Sequence, residues 1–205
     1  MSGSHEGQVV VVTGAGKGIG QAIAERFAGA GAHVTVNDID PERVDSVVAA
    51  ITDAGGTAIG AVADVSDSGQ VAAMFDATLE AFGTVDVLVN NAGTTRPAMA
   101  HRMTNDAWDF VIDVAVTGTF NMCRSAFNLL KEAEEGGDWA NKKVINMSSI
   151  NGIYGTAANV NYSAAKAGVN GLTRALSREW APHGINVNAV APGYIAGTRM
   201  TSVQE

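Results

Sequence analysis

The chain has 205 residues, of which 46% are hydrophobic and 17% are charged, and its formal net charge is −8. This length and composition are typical of one globular domain, so we expect a single domain over residues 1–205. The acidic charge, without a lysine or arginine cluster, argues against nucleic acid and membrane surfaces as partners. No stretch of about 18 apolar residues is present, so we expect no transmembrane helix, and residues 1–8 lack a signal-peptide pattern.

The chain has one cysteine, Cys123, and four histidines, at positions 5, 33, 101 and 183. A single cysteine cannot form an intrachain disulfide, which favours a reducing cytoplasm as the location. The histidines share no metal-ligand spacing with each other or with the cysteine. We therefore expect no metal site.

Strand-like and helix-like segments alternate along the whole chain. The predicted strands are β-branched or continuously apolar runs, as in buried parallel strands, and they cover residues 8–14, 33–38, 57–64, 85–93, 142–150 and 185–193. The predicted helices have apolar residues three or four apart, and they cover residues 19–31, 41–54, 71–82, 104–131 and 160–182. Repeated strand–helix units predict an α/β fold: a Rossmann-like doubly wound parallel sheet with helices on both faces.

Two of these helices carry informative side chains. Thr104 can cap the long helix 104–131, whose inward stripe we predict as Trp108, Val111, Ile112, Ala115, Met122, Cys123, Ala126 and Leu130. In helix 160–182 we expect four residues to face inward: Val169, Leu172, Leu176 and Trp180. The same helix begins with several small residues, which are Ala164, Ala165, Ala167, Gly168 and Gly171.

The first predicted strand runs into the glycine-rich stretch TGAGKGIG, residues 13–20. Gly14, Gly18 and Gly20 follow a G-x-x-x-G-x-G spacing, which differs from the general G-x-G-x-x-G fingerprint. Glycines let the backbone turn tightly and approach a pyrophosphate, and the N-terminus of the following helix attracts that anion. The stretch therefore indicates a dinucleotide site; the alternative is a strand–helix turn without a ligand.

Asp38 closes the second predicted strand. A carboxylate at this point can accept hydrogen bonds from both ribose hydroxyls of an adenosine, and it would repel a 2′-phosphate. Asp38 therefore favours NAD over NADP, whereas Lys17 in the glycine-rich stretch weakly favours NADP. The alternative for Asp38 is an acid that merely lies near a helix N-cap.

The stretch YSAAK places Tyr162 and Lys166 four residues apart on one face of a helix. A free tyrosine has a pKa near 10, and a lysine ammonium beside it should lower the pKa of the phenol. The stretch NMSS, residues 146–149, ends the fifth predicted strand at its carboxyl edge, where ligands bind in such sheets. A serine there can hold a carbonyl or alcohol oxygen of a substrate.

These motifs occur in a fixed order along the chain: TGAGKGIG, Asp38, DV at 64–65, NNAG at 90–93, NMSS, YSAAK and PGYIAGTRM at 192–200. Together they resemble the short-chain dehydrogenase/reductase family over nearly the whole chain. The resemblance implies a single dinucleotide-binding and catalytic domain. It also implies reversible hydride transfer between the nicotinamide C4 and an alcohol or carbonyl carbon.

The resemblance also implies roles for individual residues. Tyr162 is the acid/base, Lys166 lowers its pKa and binds the nicotinamide ribose, and Ser149 polarises the substrate oxygen. Apart from Tyr162 and Lys166, the implied cofactor contacts are Gly14, Lys17, Gly18, Ile19, Gly20, Asp38, Asp64, Val65, Asn91, Gly93, Ile195 and Thr198.

Two features depart from the family pattern. Ala115 stands where the family usually has an asparagine, which helps hold a water that connects the lysine to solvent, so we expect a slower proton relay. The sequence also reaches only Glu205. Family members usually continue through a substrate-covering lid, a further helix and a last parallel strand, and we expect these parts to be missing here.

The expected function is NAD-dependent hydride transfer to or from a secondary alcohol or its ketone. An alternative is a 3-oxoacyl thioester reductase, acting on acyl carrier protein or CoA thioesters with NADPH. An alternative of another class is a cofactor-binding protein with little turnover. Ala115 and the missing C-terminal part favour it, and the intact Ser149, Tyr162 and Lys166 oppose it. Family members pair helices 104–131 and 160–182 across a two-fold axis, so we also expect a homodimer or homotetramer.

Overall fold

The structure is a computed structural model that describes residues 4–131 and 142–195. Within these ranges, six strands form one sheet in the order β3-β2-β1-β4-β5-β6, and all neighbouring strands are parallel. The strands are β1 (Val9–Val12), β2 (His33–Asp38), β3 (Thr57–Val62), β4 (Val87–Asn90), β5 (Lys143–Met147) and β6 (Asn186–Val190).

Helices connect successive strands. They are α1 (Gly18–Ala28), α2 (Pro41–Asp53), α3 (Ser68–Phe82), α4 (Asn105–Ile112), α5 (Gly118–Lys131), α6 (Asn151–Tyr154) and α7 (Val160–Trp180). A π-helix, Asp113–Thr117, joins α4 to α5, and short 3₁₀ helices cover Ala100–Arg102 and Ala181–His183. In the described part of the chain, every helix is too short or too polar to cross a membrane.

The valine-rich strand β1 is buried from both sides. Successive side chains of a strand point to opposite faces of the sheet. Val11 packs into a core with residues of α3, α5 and α7, whereas Val10 and Val12 pack into a second core with residues of α1 and α2. Helices therefore cover both faces, and the predicted Rossmann-like doubly wound sheet is confirmed.

Most predicted elements are present, with shorter strands than their apolar runs. β1 ends at Val12 and β4 at Asn90, and the residues that follow bond each other, the Asn91 N–H donating to Thr13 Oγ1 at 3.0 Å. The short helix α6 was not predicted, since four residues are too few to show a helical period. In α7 the expected inward residues are buried or partly buried against the core: Val169, Leu172, Leu176 and Trp180.

The long helix predicted over 104–131 is interrupted. Thr104 caps it, since its hydroxyl accepts an N–H of the first turn at 3.2 Å, but Asp113–Thr117 widens into the π-helix, where Gly118 N–H donates to Asp113 O. The residue added there rotates the following helix face by about 100° relative to α4. Trp108 lies before this turn, in the same regular helix as the buried Val111, but it is 37% exposed, so its place in the predicted stripe is wrong. Ile112 is partly buried, and the other stripe residues are buried: Val111, Ala115, Met122, Cys123, Ala126 and Leu130.

Candidate active site

A cleft with a volume of about 310 Å³ opens beside the carboxyl ends of the central strands. The strand order reverses between β1 and β4, and doubly wound sheets bind their ligands at this kind of switch point. The cleft brings together ten residues that the sequence indicates as cofactor contacts: Gly14, Lys17, Gly18, Ile19, Gly20, Asp38, Asp64, Val65, Asn91 and Gly93.

The glycine-rich loop after β1 lines the cleft with bare backbone. A Cβ on Gly14 would lie 2.8 Å from the Cα of Ala92, and one on Gly20 would collide with the carbonyl oxygen of Gly14. Gly14 and Gly18 also have φ angles of +59° and +62°, which glycine adopts most readily. Because α1 begins at Gly18, its free N–H groups lie at the cleft. This cradle fits a pyrophosphate group.

Asp38 lies half-buried at the edge of the same cleft. The Gly16 N–H donates to its Oδ2 at 3.1 Å, and the Asp40 N–H donates to its Oδ1 at 3.2 Å. A Cβ on Gly16 would lie 2.7 Å from Oδ2, so only glycine permits this approach. Each carboxylate oxygen keeps a lone pair for a further donor. The carboxylate is thus fixed in place and still able to accept bonds from a ribose.

Two further segments brace the cleft. The Asn91 amide donates to the carbonyl oxygens of Thr13 at 2.9 Å and Gly14 at 3.1 Å, so it fixes the start of the glycine-rich loop. Asp64 Oδ1 accepts from the backbone and hydroxyl of Ser66 at 2.8 and 2.7 Å. Both segments of the cleft wall are therefore fixed by hydrogen bonds.

Ser149, Tyr162 and Lys166 lie together beside the cleft. The Ser149 hydroxyl lies near enough to the Tyr162 phenol to lower its pKa. The Lys166 ammonium lies 5.8 Å from the centre of the Tyr162 ring and donates to the carbonyl oxygen of Met147. A Cβ on Gly93 would lie 3.5 Å from the ammonium. Since Gly93 lines the cleft, the Lys166 ammonium lies at its wall and the other two side chains lie next to it.

The protonation of the site differs from the expectation. Burial raises the pKa of the Tyr162 phenol above its ordinary value, and the hydrogen bond with Ser149 offsets part of the rise. Burial also lowers the pKa of the Lys166 ammonium to about 8. The expected lowering of the Tyr162 pKa by Lys166 is therefore wrong, because both groups are desolvated and the ammonium is directed at a backbone carbonyl. A phenol that keeps its proton at neutral pH suits donation to a carbonyl oxygen.

Ala115 belongs to the same small hydrophobic cluster as the tyrosine. It is 1% exposed and packs with Val111, Tyr162 and Ala165. Its carbonyl oxygen accepts a hydrogen bond from Thr119 Oγ1 at 2.7 Å. It also lies in the π-helix, a distortion that is frequent at functional sites. Alanine in place of the family's asparagine thus stands in the cluster that contains Tyr162, the proposed acid/base.

Some cleft residues were missed by sequence reasoning: Asn37, Ile39, Arg43, Ala63, Ala92, Thr94, Arg96, Phe110 and Val114. The Arg96 guanidinium lies 4.6 Å from the centre of the Phe110 ring, and a pair so far apart in sequence has no characteristic spacing. Arg43 could have been found, because it lies in the first turn of the helix that follows Asp38. Ile195 is 42% exposed at the end of the described residues, and Thr198 lies outside them.

Comparison with known proteins agrees with this geometry. Residues 8–205 match the family profile described as short chain dehydrogenase. The chain is 44% identical over 195 residues to the 3-oxoacyl-[acyl-carrier-protein] reductase of Synechocystis sp., which covers 95% of this chain and 76% of that protein. It is 42% identical over 192 residues to glucose 1-dehydrogenase 2 of Bacillus subtilis, covering 93% of this chain and 72% of that protein.

A crystal structure of a short chain dehydrogenase from Mycobacterium avium has a TM-score of 0.89 to this fold at 41% identity. The match covers 98% of this chain and 72% of that chain. The sequence profile, the relatives and the shared fold agree with one another. The chain therefore belongs to the short-chain dehydrogenase/reductase family of NAD(P)-dependent oxidoreductases.

Proposed function

We propose that this protein is an NAD-dependent dehydrogenase that interconverts a secondary alcohol and its ketone. The observation that carries the proposal is the grouping of Tyr162 and Lys166, with the Lys166 ammonium 5.8 Å from the centre of the tyrosine ring and close to Gly93 in the wall of the cleft, and with Ser149 near enough to lower the pKa of the phenol. The Ser149 hydroxyl, which can hold a substrate oxygen, and the Tyr162 phenol, which can exchange a proton with it, thus lie close together.

In this proposal, the Tyr162 phenol donates a proton to the ketone oxygen, or its phenolate takes a proton from the alcohol. The Ser149 hydroxyl holds the same oxygen, and the Lys166 ammonium binds the ribose next to the nicotinamide. The bound nicotinamide ring supplies or accepts the hydride. Because Tyr162 and Lys166 are 8% and 4% exposed, water has little access to the point where the proton is exchanged.

The remaining cofactor contacts belong to the proposal as well. The glycine-rich loop binds the pyrophosphate and Asp38 binds the adenosine ribose. Asp64 and Val65 contact the adenine, and Asn91 with its neighbours lines the ribose. Ile195 and Thr198 hold the nicotinamide carboxamide. We further propose that residues 1–205 act as one cofactor-binding and catalytic domain in the cytoplasm, since the only cysteine, Cys123, is buried and free.

A second candidate is a 3-oxoacyl thioester reductase that uses NADPH. The similarity to the Synechocystis reductase favours it. So do Lys17 and Arg43, two basic side chains that line the cleft with Asp38 and can approach a 2′-phosphate. Against it stands Asp38, whose carboxylate is fixed at the edge of the same cleft and would repel a 2′-phosphate bound beside it.

Turnover is tested by mixing the protein with NAD and a panel of secondary alcohols and following the absorbance of the reduced nicotinamide. The panel includes 3-hydroxyacyl thioesters, steroid alcohols, polyols and small alicyclic alcohols. We expect oxidation of at least one alcohol with NAD. Turnover only of a 3-oxoacyl thioester with NADPH would favour the second candidate, and tight NAD binding without any turnover would indicate a cofactor-binding protein.

We predict that the protein binds NAD more tightly than NADP and that Asp38→Ala removes the preference. Hydrogen bonds to a charged group contribute about 1.5–3 kcal/mol, so NAD affinity should fall about tenfold or more. NADP affinity should rise, because the like charge is gone. Fluorescence titration of both cofactors measures the two dissociation constants.

The matched control is Asp53→Ala, which removes an exposed carboxylate at the far end of α2 and changes the net charge equally. It should leave both dissociation constants unchanged. Tighter binding of NADP than NAD by the unmodified protein would contradict the prediction. It would make Lys17 and Arg43 the residues that decide cofactor choice.

We also propose a homodimer or homotetramer built on α7. Among its small residues, Gly168 already serves packing within the chain, since a Cβ there would lie 3.3 Å from Val116. At Gly171 a Cβ would meet no atom within 4 Å, so this part of α7 is open to another helix. We predict that light scattering shows a dimer or tetramer and that Gly171→Arg shifts it toward monomer.

The control for the assembly is Ala49→Arg, at an exposed position of α2. Replacing glycine by arginine in a helix improves its intrinsic propensity, so a loss of assembly by Gly171→Arg would not reflect a weaker helix. A stable monomer of the unmodified protein at micromolar concentration would contradict the proposal.

A further inference from the structure

Asn161, which directly precedes Tyr162, is a polar side chain with no solvent exposure. A buried amide costs free energy unless its hydrogen bonds are made. Its Nδ2 donates to the carbonyl oxygens of Arg96 and Ala107, both at 3.0 Å. Its Oδ1 accepts from the Tyr162 N–H at 2.8 Å. Both amide protons and the oxygen are therefore used.

The three partners of Asn161 belong to three different segments. Arg96 lies in the loop that follows β4, Ala107 in the first turn of α4, and Tyr162 in the first turn of α7. The N-cap residue of α7, Asn159, makes no side-chain cap. Asn161 instead binds one of the N–H groups that a helix start leaves free. A single side chain thus completes the start of α7 and joins it to two neighbouring segments.

The same three segments surround the site described above. Arg96 lines the cleft, and its loop is also joined to the chain before α7 by a hydrogen bond from Ala98 N–H to Ala158 O at 2.8 Å. Helix α4 continues into the π-helix, where Ala115 packs against Tyr162. A shift of α4 or of the loop relative to α7 would therefore move walls of the site with respect to the tyrosine.

We propose that Asn161 is a positioning residue that fixes Tyr162 relative to the loop after β4 and to α4. It touches neither cofactor nor substrate in this role; it acts through the backbone of Tyr162 and through the carbonyls of Arg96 and Ala107. The catalytic part of this inference rests on the proposed function. The connection of the three segments by the hydrogen bonds of Asn161 is independent of the proposed function, and it can be measured without turnover.

The test compares Asn161→Ala with Val169→Ala. Val169 is a buried apolar residue two turns further along α7, 1% exposed, so its truncation weakens packing without touching the amide network. Hydrogen–deuterium exchange should become faster in peptides spanning 94–103 and 104–112 for Asn161→Ala and not for Val169→Ala. Asn161→Ser retains one hydrogen-bond donor, so its exchange rates should increase less. It replaces Asn161→Ala in the test if that variant does not fold.

Turnover supplies the second readout. A misplacement of about 1 Å can cost about 100-fold in rate, so we expect kcat of Asn161→Ala to fall about 10- to 100-fold with the NAD dissociation constant within about twofold of wild type. The rising limb of the pH profile for alcohol oxidation should move to higher pH, because a displaced tyrosine loses the Ser149 bond that lowers its pKa.

Two results would overturn the proposal. One is unchanged exchange in the loop after β4 and in α4 of Asn161→Ala. The other is a kcat and a pH profile that match those of Val169→Ala at an equal loss of thermal stability. If the wild-type protein turns over no substrate, the proposed function fails by itself, and the exchange measurement still decides whether Asn161 ties the segments together.

Discussion

Replacing Tyr162 with phenylalanine is expected to reduce kcat by about 10³-fold or more, within the range that general acid–base catalysis contributes. The substitution removes only the phenolic oxygen. The ring keeps its packing against Val111, Ala115 and Ala165, and the cradle for the cofactor is untouched. NAD affinity and thermal stability should therefore stay close to those of the wild type. Absorbance of the reduced nicotinamide gives kcat, and fluorescence titration gives the NAD dissociation constant.

Tyr154→Phe is the matched control for this substitution. Tyr154 lies on α6 with 83% of its side chain exposed, so the same chemical change should alter kcat by less than about twofold. Retention of a tenth or more of the wild-type kcat by Tyr162→Phe would contradict the assignment of Tyr162 as acid/base.

The pH dependence of the wild-type protein follows from the same assignment. Burial raises the pKa of Tyr162, so the phenol stays protonated through neutral pH and ionises only at alkaline pH. Alcohol oxidation needs the ionised form and should become faster as pH rises. Ketone reduction needs the protonated form and should become slower over the same range. Profiles of kcat/KM in both directions test this, and a flat oxidation profile from neutral to alkaline pH would contradict it.

The sequence predicts the fold well because its signals are local. Continuous valine runs such as β1 mark strands that are buried on both faces. The cleft can also be predicted from the sequence, because its loop requires glycine. At Gly14 and Gly20 a Cβ would collide with the backbone, and at Gly14 and Gly18 the φ angle is positive. These steric requirements place glycines at fixed distances after the strand, which gives the loop a recognisable sequence pattern.

Other features depend on contacts between distant segments. Asn161 bonds Arg96 and Ala107, and no periodicity or spacing in the sequence connects them. The pKa of Tyr162, which the sequence predicts to be lowered and burial raises, differs from the prediction for a related reason. Spacing places Lys166 on the same helix face, but only the structure shows that both side chains are buried and that the ammonium is directed at Met147.

The π-helix is the clearest case of a feature that a 3.6-residue period cannot reveal. Ala115 packs against Tyr162 on one side of the helix, while a Cβ on Gly118 would lie 2.6 Å from Val65 Cγ2 on the other. The residue added in the wider turn changes the phase of α5 relative to α4, which a single apolar stripe over residues 104–131 does not allow for.

The position of Ala115 in that turn leads to the second large effect, which we expect from Ala115→Asn. In the family pattern an asparagine there helps hold a water that connects the lysine to solvent. Restoring the amide should raise kcat by about 10- to 100-fold, a part of the range for general acid–base steps. NAD affinity should stay unchanged, because Ala115 is 1% exposed inside the protein and has no role among the proposed cofactor contacts. Thermal stability should fall, since an incompletely bonded buried amide costs about 1–3 kcal/mol.

Ala115→Leu is the control, because leucine has nearly the size and branching of asparagine but no amide. It should perturb the packing against Val111, Tyr162 and Ala165 similarly and give no increase in kcat. An increase in both variants would mean that widening the helix, and not the amide, accelerates the reaction. No increase in Ala115→Asn, together with robust turnover by the wild type, would show that protons reach Tyr162 by another route. The Ala115 carbonyl offers one: it accepts a bond from Thr119, and a carbonyl oxygen has a second lone pair on which solvent can bind.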